Sequence, residues 1–211
     1  MDFRPEDISH GDVGKLINAA VVPRPIAWVS TRAVDGILNL APFSYFNAVC
    51  SNPPTIVFSA GVRVLKSTPT HKDTLTNIRE TGEFVVNFVS EHNAAAMNLT
   101  SVDAPAHMDE FAYAGLTPIP GVVINAPSVG ESLIHFECKL NQIVTISDQP
   151  GGAHLVIGTI VHMHFDDSIY REGNYLDLAA YQPVGRTSGA GYVRVTDTFT
   201  LSRPPSEFNL G

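Results

Sequence analysis

Residues 133–165 read LIHFECKLNQIVTISDQPGGAHLVIGTIVHMHF, and this stretch decides the fold. Apolar side chains fall on alternate positions of two long runs, at Phe136, Cys138 and Leu140 and then at Leu155, Ile157, Val161, Met163 and Phe165, which is the period of a strand. Between the runs, Ser147-Asp148-Gln149-Pro150-Gly151-Gly152 is dense turn chemistry, so a long antiparallel hairpin is predicted over Leu133–Ile146 and His154–Phe165.

Outward from the hairpin, shorter β-branched runs bounded by turn residues at Pro25–Ser30, Thr55–Ala60 and Glu83–Val89 read as further strands. Helical signal is confined to Asp73–Thr81, with Asp73 as N-cap, Leu75 and Ile78 on one face and Gly82 as terminator, and to the alanine-rich Ser90–Leu99. Many strands, few short helices and no regular β-α alternation predict a mainly β protein, an antiparallel barrel with helical decoration, and exclude a doubly wound sheet. The 211 residues show no internal repeat or low-complexity tract, and 16 Gly and 15 Pro are scattered as punctuation, so residues 1–211 form one expected domain.

The charge balance narrows the function. With 13 Lys+Arg against 21 Asp+Glu, the formal charge of −8 disfavours nucleic acid and anionic membrane surfaces. A local cluster such as Arg63, Lys66 and Lys72 still suits an anionic cofactor. Two cysteines, Cys50 and Cys138, supply neither a disulfide framework nor zinc spacing, and MDFRPEDISHGDVGK carries acidic residues and no apolar run, so a soluble, cytoplasmic protein is expected. The sequence contains no complete G-x-G-x-x-G, no G-x-x-x-x-G-K-[ST], no H-E-x-x-H and no G-x-S-x-G; Ser188-Gly189-Ala190-Gly191 comes nearest to the first but lacks its third glycine.

Three segments are richer than a plain barrel needs. In Val22–Thr31, Asp35-Gly36 and Asn39–Asn47, a strand, a turn and a second strand carry Pro42, which is expected to break the ladder and free backbone groups for a flat heterocycle, with Phe43, Tyr45 and Phe46 beside it. Taken locally, a hairpin bulged at Pro42 over an aromatic cluster is the plainer reading. In Thr68–Leu75, a helix N-terminus follows Lys72, which makes either a phosphate site or an ordinary Asp-capped helix. Gln182–Tyr192 is glycine-rich and carries Arg186 and Tyr192, reading either as a ligand-contacting loop or as a flexible surface loop.

Together these segments resemble the flavin reductase-like family of FMN-binding split β-barrels, which includes flavoredoxin-type proteins and the small reductase components of two-component monooxygenases. The resemblance is carried by PRPIAWVST at 23–31, Asp35-Gly36, NLAPFSYFN at 39–47, KDTLTNI at 72–78 and EFVVN at 83–87, within a span of roughly 15–195. It implies an antiparallel, Greek-key split barrel and a homodimer with one FMN per subunit. The phosphate would be held by Ser30 or Thr31, Ser44 and the Lys72-Asp73-Thr74 turn, with the isoalloxazine on the Ala41–Asn47 backbone. The implied cofactor-binding set is Trp28, Ser30, Thr31, Asn39, Ala41, Pro42, Phe43, Ser44, Asn47, Lys72, Asp73, Thr74, Arg186 and Tyr192. NADH or NADPH is the implied electron donor, with flavin, a small acceptor or a partner oxygenase downstream; the alternative is a flavoredoxin-like carrier without nicotinamide turnover. Relatives commonly read R-L-G-G-x-x-Y where this chain has Arg186-Thr187-Ser188-Gly189-Ala190-Gly191-Tyr192, a departure that bears on the nicotinamide and substrate contacts.

Other residues read as structural. His162 and His164 share a strand face with His135 opposite, a solvated face in preference to a metal site. Trp28 is also expected to pack in the core or a dimer interface, Cys50 to be a buried thiol, and Asp166-Asp167 to end a strand.

Overall fold

The computed structural model describes residues 1–65 and 67–204; Lys66 of the basic cluster, and residues 205–211 of the C-terminal extension expected at 196–211, lie outside them. Seven strands form one antiparallel sheet: β1 Ala27–Arg32, β2 Leu38–Phe43, β3 Phe46–Ser51, β4 Pro54–Gly61, β5 Glu83–Phe88, β6 Ile134–Thr145 and β7 Ala153–Phe165. Their order is β2-β1-β5-β6-β7-β4-β3. The two edge strands, β2 and β3, are consecutive in the chain with only Ser44 and Tyr45 between them, so the sheet must curl until its edges nearly meet. The result is a barrel with an open seam, and the seam falls on the Ala41–Asn47 segment.

β6 and β7 form the predicted hairpin, with register shifts between Glu137 and Cys138 and between Leu140 and Gln142. Its inward phase on β7 is His154, Val156 and Gly158, while Val161 and Met163 point outward and stay exposed. A Cβ at Gly158 would collide with the ring of Phe84, which is fully buried in the barrel.

β1 is buried on both faces. Ala27 and Val29 join Phe43, Phe58, Phe84 and Val156 inside the barrel. Trp28 and Leu40 face the other way, against Met97, Phe111 and Val129. That second core is closed by two short helices, α3 Ala94–Leu99 and α4 Glu110–Ala114; a further helix, α1 His10–Ala20, precedes the barrel. The Ser90–Leu99 prediction divides into a 3-10 turn at Glu91–Asn93, closed by a Ser90/Asn93 capping box, and α3. α1, capped by Ser9, lies outside the helices expected from sequence; Val13, Leu16, Ile17 and Ala20 fall on one face of it, but the helix is short, carries Gly11 and Gly14, and buries none of its residues.

α2, Asp73–Thr81, ends at Gly82 with φ 71°, as the terminator reading requires. Its N-cap is Lys72 and not Asp73: the Asp73 carboxylate is drawn instead to the Arg63 guanidinium at 3.1 Å. Pro42 also corrects the expectation, since the β1–β2 ladder runs unbroken through Trp28–Pro42 to Ala27–Phe43. The bulge lies in β3, between Ala48 and Cys50. Cys50 is exposed; the buried thiol is Cys138. Among the described residues, no helix is long and apolar enough to cross a membrane.

Candidate functional site at the barrel seam

On an edge strand, alternate N–H groups point away from the sheet and need other partners. On β2 the outward Leu40 N–H is taken by Glu110 at 3.1 Å, and the next outward position is Pro42, which has no N–H to leave unpaired. Among the described residues no strand pairs with that side of β2, which leaves the edge open at the seam, and Pro42 fits it without disrupting the ladder.

Arg24 fixes the corner. It is 5% exposed, and its guanidinium donates to the carbonyls of Asn18 and Val21 at 2.8 Å each and of Thr187 at 2.9 Å, with Nε 3.4 Å from Ser44 Oγ. Its backbone exchanges two hydrogen bonds with Arg186, at 2.9 and 2.8 Å. One buried side chain thus ties the end of α1, the seam and the glycine-rich segment together. That segment is a paired hairpin, Val184–Arg186 against Tyr192–Arg194, and not a loose loop. Sequence reading passed over Arg24; the available signal was a lone arginine between prolines ahead of an apolar strand.

Beside the corner lies a pocket of about 160 Å³ whose lining includes Pro42, Ser44, Arg186 and Tyr192, together with Asn98 and Ser101. Tyr192 donates its hydroxyl to Asn98 Oδ1 at 3.1 Å, and the Arg186 guanidinium sits 4.6 Å over the Tyr192 ring while donating to the Gly189 carbonyl at 2.6 Å. Four predicted residues thus meet in one place.

The Lys72 turn is reached from this pocket along a short stretch of chain. Ser101 lines the pocket, Asp103 lies 3.8 Å from Lys72 Nζ, and the Ala104 carbonyl accepts from Arg63 at 3.4 Å. Two residues of chain span at most about 7 Å, so an elongated ligand in the pocket is within reach of the lysine. Ala41 and Asp73 are half-buried nearby, and Asn47 is exposed beyond the corner, its Oδ1 accepting from the Ala48 N–H at 2.8 Å.

Six other residues of the expected cofactor-binding set turn their side chains inward. Trp28 is fully buried and donates Nε1–H to Thr100 Oγ1 at 2.9 Å. Ser30, also fully buried, donates to the Pro127 carbonyl and accepts from Asn87 at 3.0 Å. Thr31 accepts from Asn77 at 2.9 Å, and Thr74 donates to Asn39 Oδ1 at 2.6 Å. Asn39 donates to both oxygens of Glu110 at 3.1 Å, and Phe43 packs on Phe58 with centroids 4.9 Å apart. With their side-chain polar groups engaged by other residues and little accessible surface, these residues shape the seam from behind. Burial pushes the Glu110 carboxyl above its ordinary pKa, against the lowering effect of the Leu40 N–H and the Asn39 amide.

The histidines of β6 and β7 also part company. His135 stacks on His164 with centroids 5.1 Å apart, whereas His162 turns to Glu137 at 3.5 Å, and the three do not converge on one point. Asp166 ends β7 as expected, its carboxylate accepting from the Ser168 N–H at 2.9 Å.

Residues 19–183 match the family model of the flavin reductase like domain. The structure is similar to nitrilotriacetate monooxygenase component B from Bacillus cereus, at 34% identity and TM-score 0.89, covering 95% of this chain and 98% of that one. It is similar also to the 2-nitrobenzoate 2-nitroreductase of Pseudomonas fluorescens, at 33% identity and TM-score 0.86, covering 98% of this chain and all of the other. A Shewanella frigidimarina split-barrel protein assigned as a flavin reductase, 24% identical, superposes with TM-score 0.79 over 98% of this chain and 99% of its own, which fixes the fold as the split barrel. With the family model matched across most of its length and these likenesses spanning nearly all of it, the chain belongs to the flavin reductase-like family.

Proposed function

We propose that this protein is an FMN-dependent oxidoreductase that takes hydride from NADH or NADPH and delivers the electrons to free flavin or a small acceptor. The observation that carries the reading is the unpaired seam at Ala41–Asn47, with a polar pocket on one side and a lysine-led helix tip within reach of it. Bound FMN would supply the hydride acceptor; the chain's own groups bind and orient it.

The donor set fits such a ligand. Lys72 suits the phosphate, with the positive end of α2 adding to its field. Ser44 and the open backbone edge offer hydrogen bonds to the rim of a flat ring, where donors also favour negative charge gained on reduction. Arg186 and Tyr192 border the pocket as charged and aromatic surface for a nicotinamide nucleotide. Exposed Val49, Val161 and Met163, and an apolar cavity of about 350 Å³ lined by Phe46, Phe88, Phe136, Phe165 and Tyr181 among others, favour a homodimer. The likeness to a monooxygenase component supports a partner oxygenase as one downstream acceptor, and the likeness to a nitroreductase supports direct reduction of a small molecule.

The test is anaerobic stopped-flow of FMN-loaded protein against NADH and NADPH in turn. One FMN per chain and rapid bleaching by one nucleotide are expected. Flavin that is bleached by dithionite but by neither nucleotide would replace this reading with an electron carrier, and failure to take up FMN would overturn it.

A further inference from the structure

A second cluster of chemistry-bearing side chains lies at the tip of the β6–β7 hairpin. His154 begins the inward phase of β7, is 1% exposed, and has its Nδ1 3.1 Å from Thr145 Oγ1 across the hairpin. Its Nε2 is buried and, among the described residues, has no hydrogen-bond partner. The Asp148 carboxylate is 3.1 Å from that nitrogen but does not meet it as a hydrogen bond, and the His71 ring packs edge-on with centroids 4.8 Å apart. One ligand atom from each of His71, Asp148 and His154 lies within 4.8 Å of the other two. His71 and Asp148 are exposed, so the group opens to solvent on the side away from His154.

We propose that His71, Asp148 and His154 form a binding site for a borderline divalent metal ion of the zinc, cobalt or nickel class, separate from the seam. Two imidazoles and one carboxylate are the donor set of such ions, whereas calcium and magnesium seek oxygen ligands. A buried nitrogen with no aligned hydrogen-bond partner among the described residues, 3.1 Å from a carboxylate oxygen and within 4.8 Å of a second imidazole nitrogen, puts three ligand atoms close enough together to share one ion. A hydrogen-bond partner that orients the His154 ring is present too. With its proton on Nδ1, His154 donates to Thr145 Oγ1, which leaves the Nε2 lone pair for the metal. Arg79 Nη2, 3.3 Å from the same Nδ1, favours the opposite tautomer; Arg79 lies at the surface, where its guanidinium can turn to solvent as the ion loads. Water would complete the coordination on the open side.

The site joins the hairpin tip to the residue immediately before Lys72. Metal loading therefore stiffens the approach to the helix tip, a consequence that rests on the flavin reading, whereas the site itself does not.

The test titrates untagged, chelator-stripped protein with Co²⁺ alone, by calorimetry and by visible d–d absorption. One ion per chain is expected, displaced by Zn²⁺. His71→Ala and Asp148→Asn, both at exposed positions, should fold normally by thermal denaturation and each weaken Co²⁺ about tenfold or more. His154→Gln, checked for folding in the same way, should abolish the d–d bands. Affinity unchanged in all three variants would assign the ion to other members of the chain's 8 histidines and overturn the site, as would the absence of any binding up to about millimolar Co²⁺. None of these readouts depends on flavin, so failure here and failure of the flavin reading are told apart.

Discussion

Beneath β2, Asn39 joins Thr31, Thr74 and Glu110 in a buried network that Asn77 completes through Thr31, whereas past the end of the same strand Ser44 shares a pocket with Arg186 and Tyr192, whose partners lie at the surface. Apart from Glu110, both sets come from the same short sequence motifs. The buried set is tied together by hydrogen bonds among Asn39, Thr31, Thr74, Asn77 and Glu110, so it fixes where β2 and α2 stand relative to each other. Of the exposed set, Arg186 and Tyr192 hold contacts that a ligand can replace without uncovering a buried polar atom, while Ser44 meets the buried Arg24 only at 3.4 Å. A motif shared by a family therefore mixes two tasks, and accessibility separates them: removing a buried member should damage the fold, and removing an exposed one should damage binding.

The largest effect is expected from Asn39→Leu. It strips Glu110 of two donated hydrogen bonds and the Thr74 hydroxyl of its acceptor, leaving a buried carboxylate underpartnered. A loss of about 3 kcal/mol in unfolding free energy by urea denaturation is predicted. A loss below about 1 kcal/mol would show the network to be slack and break the division between the two regions. Lys72→Ala should do the converse. Its ion pair with Asp103 is long, at 3.8 Å, and borders solvent, so stability should change by less than about 0.5 kcal/mol. FMN affinity should fall by about 1 to 3 kcal/mol, the range of one charge-assisted hydrogen bond, as read by fluorescence titration. Unchanged affinity would remove Lys72 from the site.

Arg186→Ala sharpens the same contrast on the other side of the seam. Its backbone pairing with Arg24 survives truncation, so the fold should hold. The KM for the nicotinamide nucleotide should rise about tenfold with FMN affinity little changed, the loss of one surface charge contact. If FMN affinity falls instead, the arginine belongs to the flavin's share of the pocket.

The barrel was legible because strand period, turn chemistry and the absence of β-α alternation are local properties of the chain, and the β6–β7 hairpin declares all three. The phase of β7 was not: both its faces are apolar, so Val156 in the core and Val161 at the surface look alike in sequence. The motifs mark Ser44, Arg186 and Tyr192 as ligand contacts, and these line one pocket, but they mark Ser30, Thr31 and Thr74 equally, and those side chains turn inward. A hydroxyl in a motif carries no mark of which way it faces; that depends on partners such as Asn77 and Asn87, far along the chain. Glu110 escaped notice for the same reason. Nothing local distinguishes it from a solvated helix-start glutamate until α4 is packed on β2.

The smallest effect concerns protons on the buried side. His135 is buried and its Nε2 lies 2.8 Å from the Val129 carbonyl, so that nitrogen carries the hydrogen; the Val129 N–H in turn donates to Asn87 at 2.8 Å. Burial pushes its pKa below the ordinary 6.5, with the stacked His164 acting in the same direction and the Val129 carbonyl opposing. The unfolded chain then binds a proton more readily than the folded one as pH falls through 6.5, so stability is lost from that point downward. Glu110 has the opposite sign: its carboxyl is raised above the ordinary 4.5, so the fold gains as pH drops toward that value and offsets part of the loss. His135→Gln keeps a donor for Val129 and removes the titration. The midpoint of thermal unfolding, followed from pH 7.5 to 5.5, should therefore decline less steeply in the variant than in the parent protein. Parallel slopes would mean that His135 gains its proton equally well in both states, and that the interior around β6 is wetter than the network at Asn39.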